Sequence, residues 1–223
     1  MDQHLTEPHG ALLRQLSSIS ELNAEERAAI ASLPMNLRQL RRDEAIVREH
    51  DQPSRSCLVI EGIAYRFKTA SDGKRQIFSF HVRGEIPDLH SLHLKTMDHD
   101  LAALSPATVG FIAHSDLLEL CVQFPGVAGT LWRETLIDGS IFREWMLGIG
   151  QRQAQTRIAH LFCELYLRLL AQDWTVSLPI TQEQLGDPLG LSTVHVNRSL
   201  NGLRADNLIM LGAGKLRIDD WTA

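Results

Sequence analysis

The segment from residue 178 to residue 204 restricts the fold of this chain more than any other part of its sequence. Thr181 and Gln184 form the capping-box pattern that begins a helix. Gly190 suits the left-handed backbone of a tight turn, and Ser192 is a typical N-cap for a second helix. The pattern therefore predicts two short helices joined by a sharp glycine turn.

The second of these helices has one apolar face and one polar face. Val196, Leu200 and Leu203 follow one another at spacings of four and three, which places them on the same side. The opposite side carries arginine and asparagine, which can form paired hydrogen bonds with guanine and adenine in a major groove.

An apolar strand at residues 208–211, a turn at 212–214 and a basic return strand then predict a β-hairpin. Together these elements form a winged helix-turn-helix, whose second helix enters the major groove of DNA while the wing reaches phosphates. Two alternatives stay open: a plain helical hairpin, and a winged helix that docks a protein partner instead of DNA. The candidate DNA-contacting residues are Thr181, Gln182, Ser192, Thr193, Val194, His195, Asn197, Arg198, Asn201 and Lys215.

Short β-rich runs alternate with turn residues between about residue 36 and residue 114, after an N-terminal helical segment. This spacing predicts a small antiparallel barrel or jelly roll. The pair Asp72-Gly73 favours a tight hairpin between two of the strands. The predicted strands are 45–48, 57–60, 64–67, 76–81 and 108–112.

A long helix is predicted over residues 126–150, followed by another over 153–171. The apolar positions of the long helix come in doublets, a stripe wider than packing on one sheet requires. The stripe fits a dimer interface and fits equally a helix buried in one larger domain. Gly148 and Gly150 are expected to interrupt it as a hinge. The candidate dimerisation residues are Leu131, Trp132, Ile141, Phe142 and Trp145.

These elements predict an α+β protein in three parts. Residues 1–125 form an N-terminal helix and a jelly-roll-like antiparallel β-roll. Residues 126–150 form the dimerisation helix, and residues 151–223 form the winged helix-turn-helix domain.

Composition excludes several classes of protein. Among 223 residues no apolar run is long enough to cross a membrane, and the first eight residues do not resemble a secretory signal. The three cysteines are too few and too scattered for a disulfide framework. A cytoplasmic location is therefore expected. The net charge of −5 is not decisive, because residues 152–223 balance seven basic against seven acidic side chains.

Catalysis is not expected. The sequence contains no nucleophile elbow, phosphate-binding loop, dinucleotide glycine motif or helical zinc-protease motif. We therefore predict that the protein is not an enzyme.

In this order, from N-terminal helix to winged helix, the features resemble a Crp/Fnr-type transcription regulator over nearly the whole chain. The match is most specific at residues 180–203, and residues 84–93 fall where the family carries its effector cassette. The resemblance implies a homodimer that binds double-stranded DNA and RNA polymerase, with no membrane partner. Thr193 and Val194 depart from the family's usual residues whereas Arg198 is kept, which implies a different operator. Pro188 is expected to distort the first motif helix.

The effector cassette also departs from the family. Members that bind cyclic AMP carry a glycine–glutamate pair and an arginine–serine pair, where this sequence has Asp88-Leu89 and His99-Asp100. An acid within the pair that replaces the phosphate-binding arginine and serine would repel a phosphodiester, so cyclic AMP is not expected to bind. No cysteine precedes Cys57, so no iron–sulfur cluster is expected, and no other cofactor is implied. The candidate effector residues are Gly84, Glu85, Asp88, Leu89, His90, Ser91, His99 and Asp100.

Histidines are unusually frequent in this cassette. His90, His93 and His99, with nearby aspartates, could bind a transition metal or a haem through imidazole. Polar loop residues without a ligand explain the same pattern, and we favour that interpretation.

Overall fold

The structure is a computed structural model that describes residues 8–169, 175–212 and 214–221. The described chain groups into two compact units, one of residues 8–68 with 79–141 and one of residues 69–78 with 142–221. Among the described helices, none is both long enough and apolar enough to span a bilayer.

The first unit begins with two helices, α1 (Pro8–Ile19) and α2 (Ala24–Ala31). Asn23 caps α2 as a capping box: its side chain accepts the Glu26 N–H, and the Glu26 side chain accepts the Asn23 N–H, both at 2.9 Å. The two helices pack on the β-roll through buried side chains such as Leu12, Leu16 and Ile30.

The predicted β-roll is confirmed, and it contains seven described strands. They are β1 (Asn36–Leu40), β2 (Ala45–Val47), β3 (Arg55–Glu61), β4 (Ala64–Thr69), β5 (Arg75–His81), β6 (Asp100–Ala103) and β7 (Ala107–Ala113). The strands form two antiparallel sheets with the orders β1-β7-β3 and β2-β6-β4-β5. Strands β1 and β6 were not predicted, because β1 is mostly exposed and β6 has only four residues.

The predicted hairpin between β4 and β5 is present with a loop one residue longer than Asp72-Gly73 alone. The Ala70 N–H donates to the Lys74 carbonyl at 2.8 Å, which leaves three residues in the loop. Gly73 has a φ of +82°, the left-handed conformation that glycine adopts without strain.

A turn and two helices follow the β-roll, and the second helix continues along the chain from the first unit into the second. A 3-10 turn (Leu89–Leu92) lies in the effector cassette, and α3 (His114–Gln123), which was not predicted, leads into α4 (Pro125–Gln151). The long helix is confirmed, but the predicted interruption is wrong, because α4 runs through Gly148 and Gly150 and ends at Gln151.

The second unit contains the helix-turn-helix and its wing. Its elements are α5 (Ala154–Arg168), β8 (Thr175–Ser177), α6 (Gln182–Leu189), α7 (Thr193–Ala205), β9 (Ile209–Gly212) and β10 (Lys215–Ile218). The predicted hairpin is confirmed as β9 and β10, which are antiparallel: Ile209 pairs with Ile218, and Gly212 pairs with Lys215. Strand β8, which pairs with β10, was not predicted. Ala213 in the predicted turn and residues 170 and 171 of the predicted preceding helix lie outside the described residues.

Candidate nucleic-acid interface and effector region

The caps predicted for the two motif helices are both present. The Thr181 hydroxyl accepts the Gln184 N–H at 3.1 Å, and the Gln184 side chain accepts the Thr181 N–H at 3.0 Å. Gly190 ends α6 with a φ of +62°, and the Ser192 hydroxyl accepts the His195 N–H at 3.4 Å to begin α7. These local hydrogen bonds fix where the first helix ends and where the second one starts.

The two helices pack through the residues that the spacing predicts. Val196 and Leu200 of α7 are fully buried, and Leu185 of α6 is nearly so. Gly186, which the sequence analysis missed, is required by close packing: a Cβ there would lie 2.5 Å from the Leu191 carbonyl oxygen. Pro188 does not end α6, which stays helical to Leu189.

The opposite face of α7 is exposed along its first two turns. Arg198 is exposed, and its guanidinium forms no hydrogen bond or ion pair with any residue that the structure describes. Its five N–H donors are therefore available to a ligand. The exposed residues of this face are Thr193, Val194, His195, Asn197, Arg198 and Asn201.

A hydrogen-bonded chain crosses the later part of this face. The Asn201 Nδ2 donates to the Asn197 Oδ1 at 3.1 Å, and Arg204 donates to the Asn201 Oδ1 at 3.2 Å. Arg204 also donates to the Leu211 carbonyl of β9 at 3.2 Å. Arg204 thus ties the helix to the wing, whereas Asn197 keeps its own amide N–H groups for another partner.

The remaining predicted contact residues lie at the ends of the motif. Lys215, the first residue of β10, is exposed and unpaired among the described residues, whereas Arg217 on the same strand is paired with Asp219 at 2.5 Å. Gln182 is half-buried, and the Thr181 hydroxyl is committed to the helix cap.

In the effector cassette most of the predicted residues point into the protein. Asp88 is 2% exposed and accepts the Cys57 N–H at 2.7 Å; burial raises the pKa of its carboxyl to about 7. The Glu85 carboxylate accepts the Val82 N–H and lies 3.2 Å from the His81 Nδ1. The turn is completed by buried Leu89 and by buried Ser91, whose hydroxyl lies 3.1 Å from the His114 Nε2.

Gly84 precedes these residues with a φ of +95°. A Cβ at this position would lie 2.7 Å from the Ala11 carbonyl oxygen of α1. Gly84 therefore has a structural role, because it lets α1 approach the turn closely.

The histidines of the cassette separate into two groups. His90 and His99 have ring centroids 5.1 Å apart, and His99 Nδ1 lies 2.7 Å from the Asp98 carboxylate. His93 is exposed and does not belong to the group formed by His90, Asp98 and His99. Asp100 is half-buried and accepts the Glu49 N–H at 3.2 Å.

Charged residues that the sequence analysis did not select lie near this cassette. Arg66 of β4 donates to the Pro87 carbonyl and pairs with Asp138 of α4 at 2.5 Å. Glu134 of α4 is a carboxylate that is only 9% exposed. Burial, together with the nearby Glu85 and Asp138 carboxylates, raises the pKa of Glu134 to about 8.

The dimerisation residues predicted on α4 do not share one face. Leu131 is buried in the core of the first unit, and Trp145 is buried in the second unit, where its indole N–H donates to Glu164 at 2.6 Å. These two predictions are wrong, because both side chains are covered within one chain. Ile141 is half-buried, and Trp132 and Phe142 are exposed. The exposed apolar residues of α4, here called the α4 face, are Trp132, Leu136, Ile137, Phe142, Met146, Leu147 and Ile149.

Two family descriptions match the chain. Residues 37–124 match the cyclic nucleotide-binding domain, and residues 156–223 match the Crp-like helix-turn-helix domain. Together the two matches span more than two thirds of the sequence and correspond to the β-roll and the winged helix.

Individual relatives agree with these matches. The transcriptional activator protein FnrL of Cereibacter sphaeroides is 25% identical over 206 residues, which cover 89% of this chain and 82% of FnrL. The transcriptional activatory protein AadR of Rhodopseudomonas palustris is 25% identical, covering 96% of this chain and 89% of AadR.

A solved structure gives the same assignment. The structure of FixK2 from Bradyrhizobium japonicum superimposes with a TM-score of 0.77 at 27% identity, covering 84% of this chain and 94% of FixK2. These relatives are transcription regulators and not enzymes. With its β-roll, long helix and capped winged helix-turn-helix, the chain belongs to the Crp/Fnr family of DNA-binding transcription regulators.

Proposed function

We propose that the protein acts as a homodimer that reads a two-fold symmetric operator, with one α7 helix in the major groove of each half-site. The observation that carries this proposal is Arg198, whose guanidinium pairs with none of the described residues and lies on the exposed face of a helix whose start is fixed by its cap. A guanidinium in that position can donate two hydrogen bonds to the O6 and N7 of guanine. Asn197 offers amide N–H donors to a neighbouring base.

The α4 face supports the homodimer. Trp132 is 69% exposed, Leu136 59% and Met146 60%, so one side of a long helix presents large apolar side chains to water. A contiguous apolar patch of this kind marks an interaction surface. A second copy of the same helix, related by a two-fold axis, would cover the patch with an identical one.

Two further partners follow from DNA binding. Relatives such as FnrL and AadR are named transcriptional activators, so we propose RNA polymerase as a partner of the DNA-bound dimer. A regulator that binds chromosomal DNA and RNA polymerase works in the bacterial cytoplasm.

Selection of binding sites from a random duplex DNA library tests the proposal. We expect an enriched site with two inverted half-sites whose centres lie about one helical turn, or ~34 Å, apart. No enrichment over bulk DNA would contradict it and would favour a winged helix that binds a protein instead.

Lys215 is expected to contact phosphate and not a base. The variant Lys215→Ala should weaken binding to all sequences alike and lower the slope of log K against log salt by about 0.9 for each phosphate that the protein no longer neutralises. Fluorescence anisotropy titrations at several salt concentrations measure both effects. Lys95→Ala removes the same charge from an exposed position in the first unit and should leave the slope unchanged. A base-specific loss in the Lys215 variant would contradict the assignment.

Cyclic AMP is not expected to bind. At the two replaced positions the structure provides a buried Asp88, a His99 whose pKa is lowered by burial, and Asp100, so none of these side chains offers a cation at neutral pH. The nearby Arg66 is already bound to Asp138 and the Pro87 carbonyl. Calorimetric titration with cyclic AMP should therefore show no specific heat, and a micromolar dissociation constant would overturn this proposal.

A further inference from the structure

His90, Asp98 and His99 form a compact group within the first unit, here called the histidine cluster. Each of the three residues offers one possible metal-ligand atom, and these atoms all lie within 4.8 Å of one another. His90 comes from the 3-10 turn, and the other two come from the residues around the start of β6. The fold therefore brings the imidazole of His90 close to the adjacent residues Asp98 and His99, which follow it by eight and nine positions in the sequence.

The Nε2 atom of His90 gives independent support. It is buried and has no hydrogen-bond partner among the described residues. A buried polar atom without a partner destabilises the folded chain, and a metal–nitrogen bond at this atom would offset that cost. The atom also belongs to a residue that lines an apolar cavity of about 730 Å³.

The local charge also permits a cation. Arg66 is the nearest positive group that affects both imidazoles, and its charge is balanced by Asp138 at 2.5 Å. The Asp98 carboxylate, 2.7 Å from His99 Nδ1, places a negative charge inside the cluster. Its side chain is 78% exposed, so close packing does not fix its position.

We propose that His90, Asp98 and His99 bind a divalent first-row transition metal ion of the Zn²⁺ type. Nitrogen and oxygen ligands lie about 2.0–2.2 Å from such an ion, so any two of them are at most about 4.4 Å apart. The possible ligand atoms of the cluster all lie within 4.8 Å of one another, which is close to this limit. Three protein ligands leave a coordination position open. A small molecule in the adjoining cavity would therefore lie close to the ion.

The test is titration of the full-length, chelator-treated protein with Co²⁺ and with Zn²⁺, followed by visible absorbance and by calorimetry. We expect one ion per chain at this site and Co²⁺ absorption bands typical of nitrogen and oxygen ligands. His90→Gln and His99→Gln should each lower affinity by more than about 100-fold, because losing even an outer partner of a metal ligand typically costs 10–100-fold. Asp98→Asn, at a position whose side chain is 78% exposed, should lower affinity by about 10-fold or more.

His93→Gln is the matched control, since it removes an exposed histidine from the same cassette and should leave affinity unchanged. Absence of specific Zn²⁺ and Co²⁺ binding in the unmodified protein would overturn the proposal. So would unchanged binding in both Asp98→Asn and the double variant His90→Gln/His99→Gln. DNA binding is not the readout, so failure of the metal site and failure of the proposed operator binding are distinguishable.

Discussion

Replacing Arg198 with alanine weakens binding to the selected operator by about 10- to 100-fold and relaxes the preference for one base pair in each half-site. A bidentate contact between guanidinium and guanine typically contributes about 1–3 kcal/mol of discrimination, and each 1.4 kcal/mol corresponds to a factor of ten. Arg198 is exposed and forms no hydrogen bond or ion pair with the residues that the structure describes, so its removal should not alter the fold. Repeating the site selection with the variant measures the change in preference directly.

Arg41→Ala is the control for this experiment, because it removes the same charge from a 93% exposed side chain in the first unit. It should retain both the affinity and the base preference of the unmodified protein. If Arg198→Ala binds the selected operator as tightly as the parent, Arg198 does not read a base.

Replacing Leu136 with glutamate should convert the homodimer into monomers. In a two-fold interface through the α4 face both copies would place a carboxylate among apolar side chains, and an uncompensated buried charge typically costs about 3–5 kcal/mol. That cost raises the dissociation constant of the dimer by more than about 100-fold. Leu136 is 59% exposed in the single chain, so the monomer itself should stay folded.

Sedimentation equilibrium measures this change as a fall from twice the 25.0 kDa chain mass to a single chain mass. Val122→Glu, at an 80% exposed position on α3, introduces the same charge outside the α4 face and should remain dimeric. A Leu136→Glu protein that still sediments as a dimer would place the interface on another surface.

The elements predicted correctly from sequence are those whose evidence is local. The capping box at Thr181 joins residues three positions apart, so its hydrogen bonds can be anticipated from the chain alone. The buried spacing of α7 is equally local, because Val196 and Leu200 lie one turn apart on the same face. The helix-turn-helix and its exposed reading face could be predicted for this reason.

The buried side of the long helix α4 could not be predicted from local patterns. Leu131 and Trp132 form one apolar doublet, yet the first is 5% exposed and the second 69% exposed. Periodicity shows that both sides of α4 are apolar, but it does not show which side is buried by other residues of the same chain. That depends on where the β-roll packs, which is a tertiary property.

The effector region was less predictable because burial there overrides residue type. A glutamate in a helix is normally read as a surface residue, whereas Glu134 lies inside, where its raised pKa favours the neutral form. Arg66 gave no sequence indication of its role, since its partners Pro87 and Asp138 are 21 and 72 residues away. The sequence suggested His93 as a member of the histidine cluster, but the structure places Asp98 beside His90 and His99 instead. The positions of the 3-10 turn and β6 determine which side chains meet.

The most direct test of the central claim, that α7 reads bases through Arg198, is a double-mutant cycle between this side chain and a single guanine atom. The guanine assigned to Arg198 in each half-site is replaced by 7-deazaguanine, which lacks the N7 acceptor but still pairs with cytosine. Affinity is then measured for the unmodified protein and for Arg198→Ala. We predict that the modified operator binds the unmodified protein about 10-fold more weakly and binds Arg198→Ala no more weakly than the natural operator does. An equal loss for both proteins at every guanine of the half-site would contradict the account.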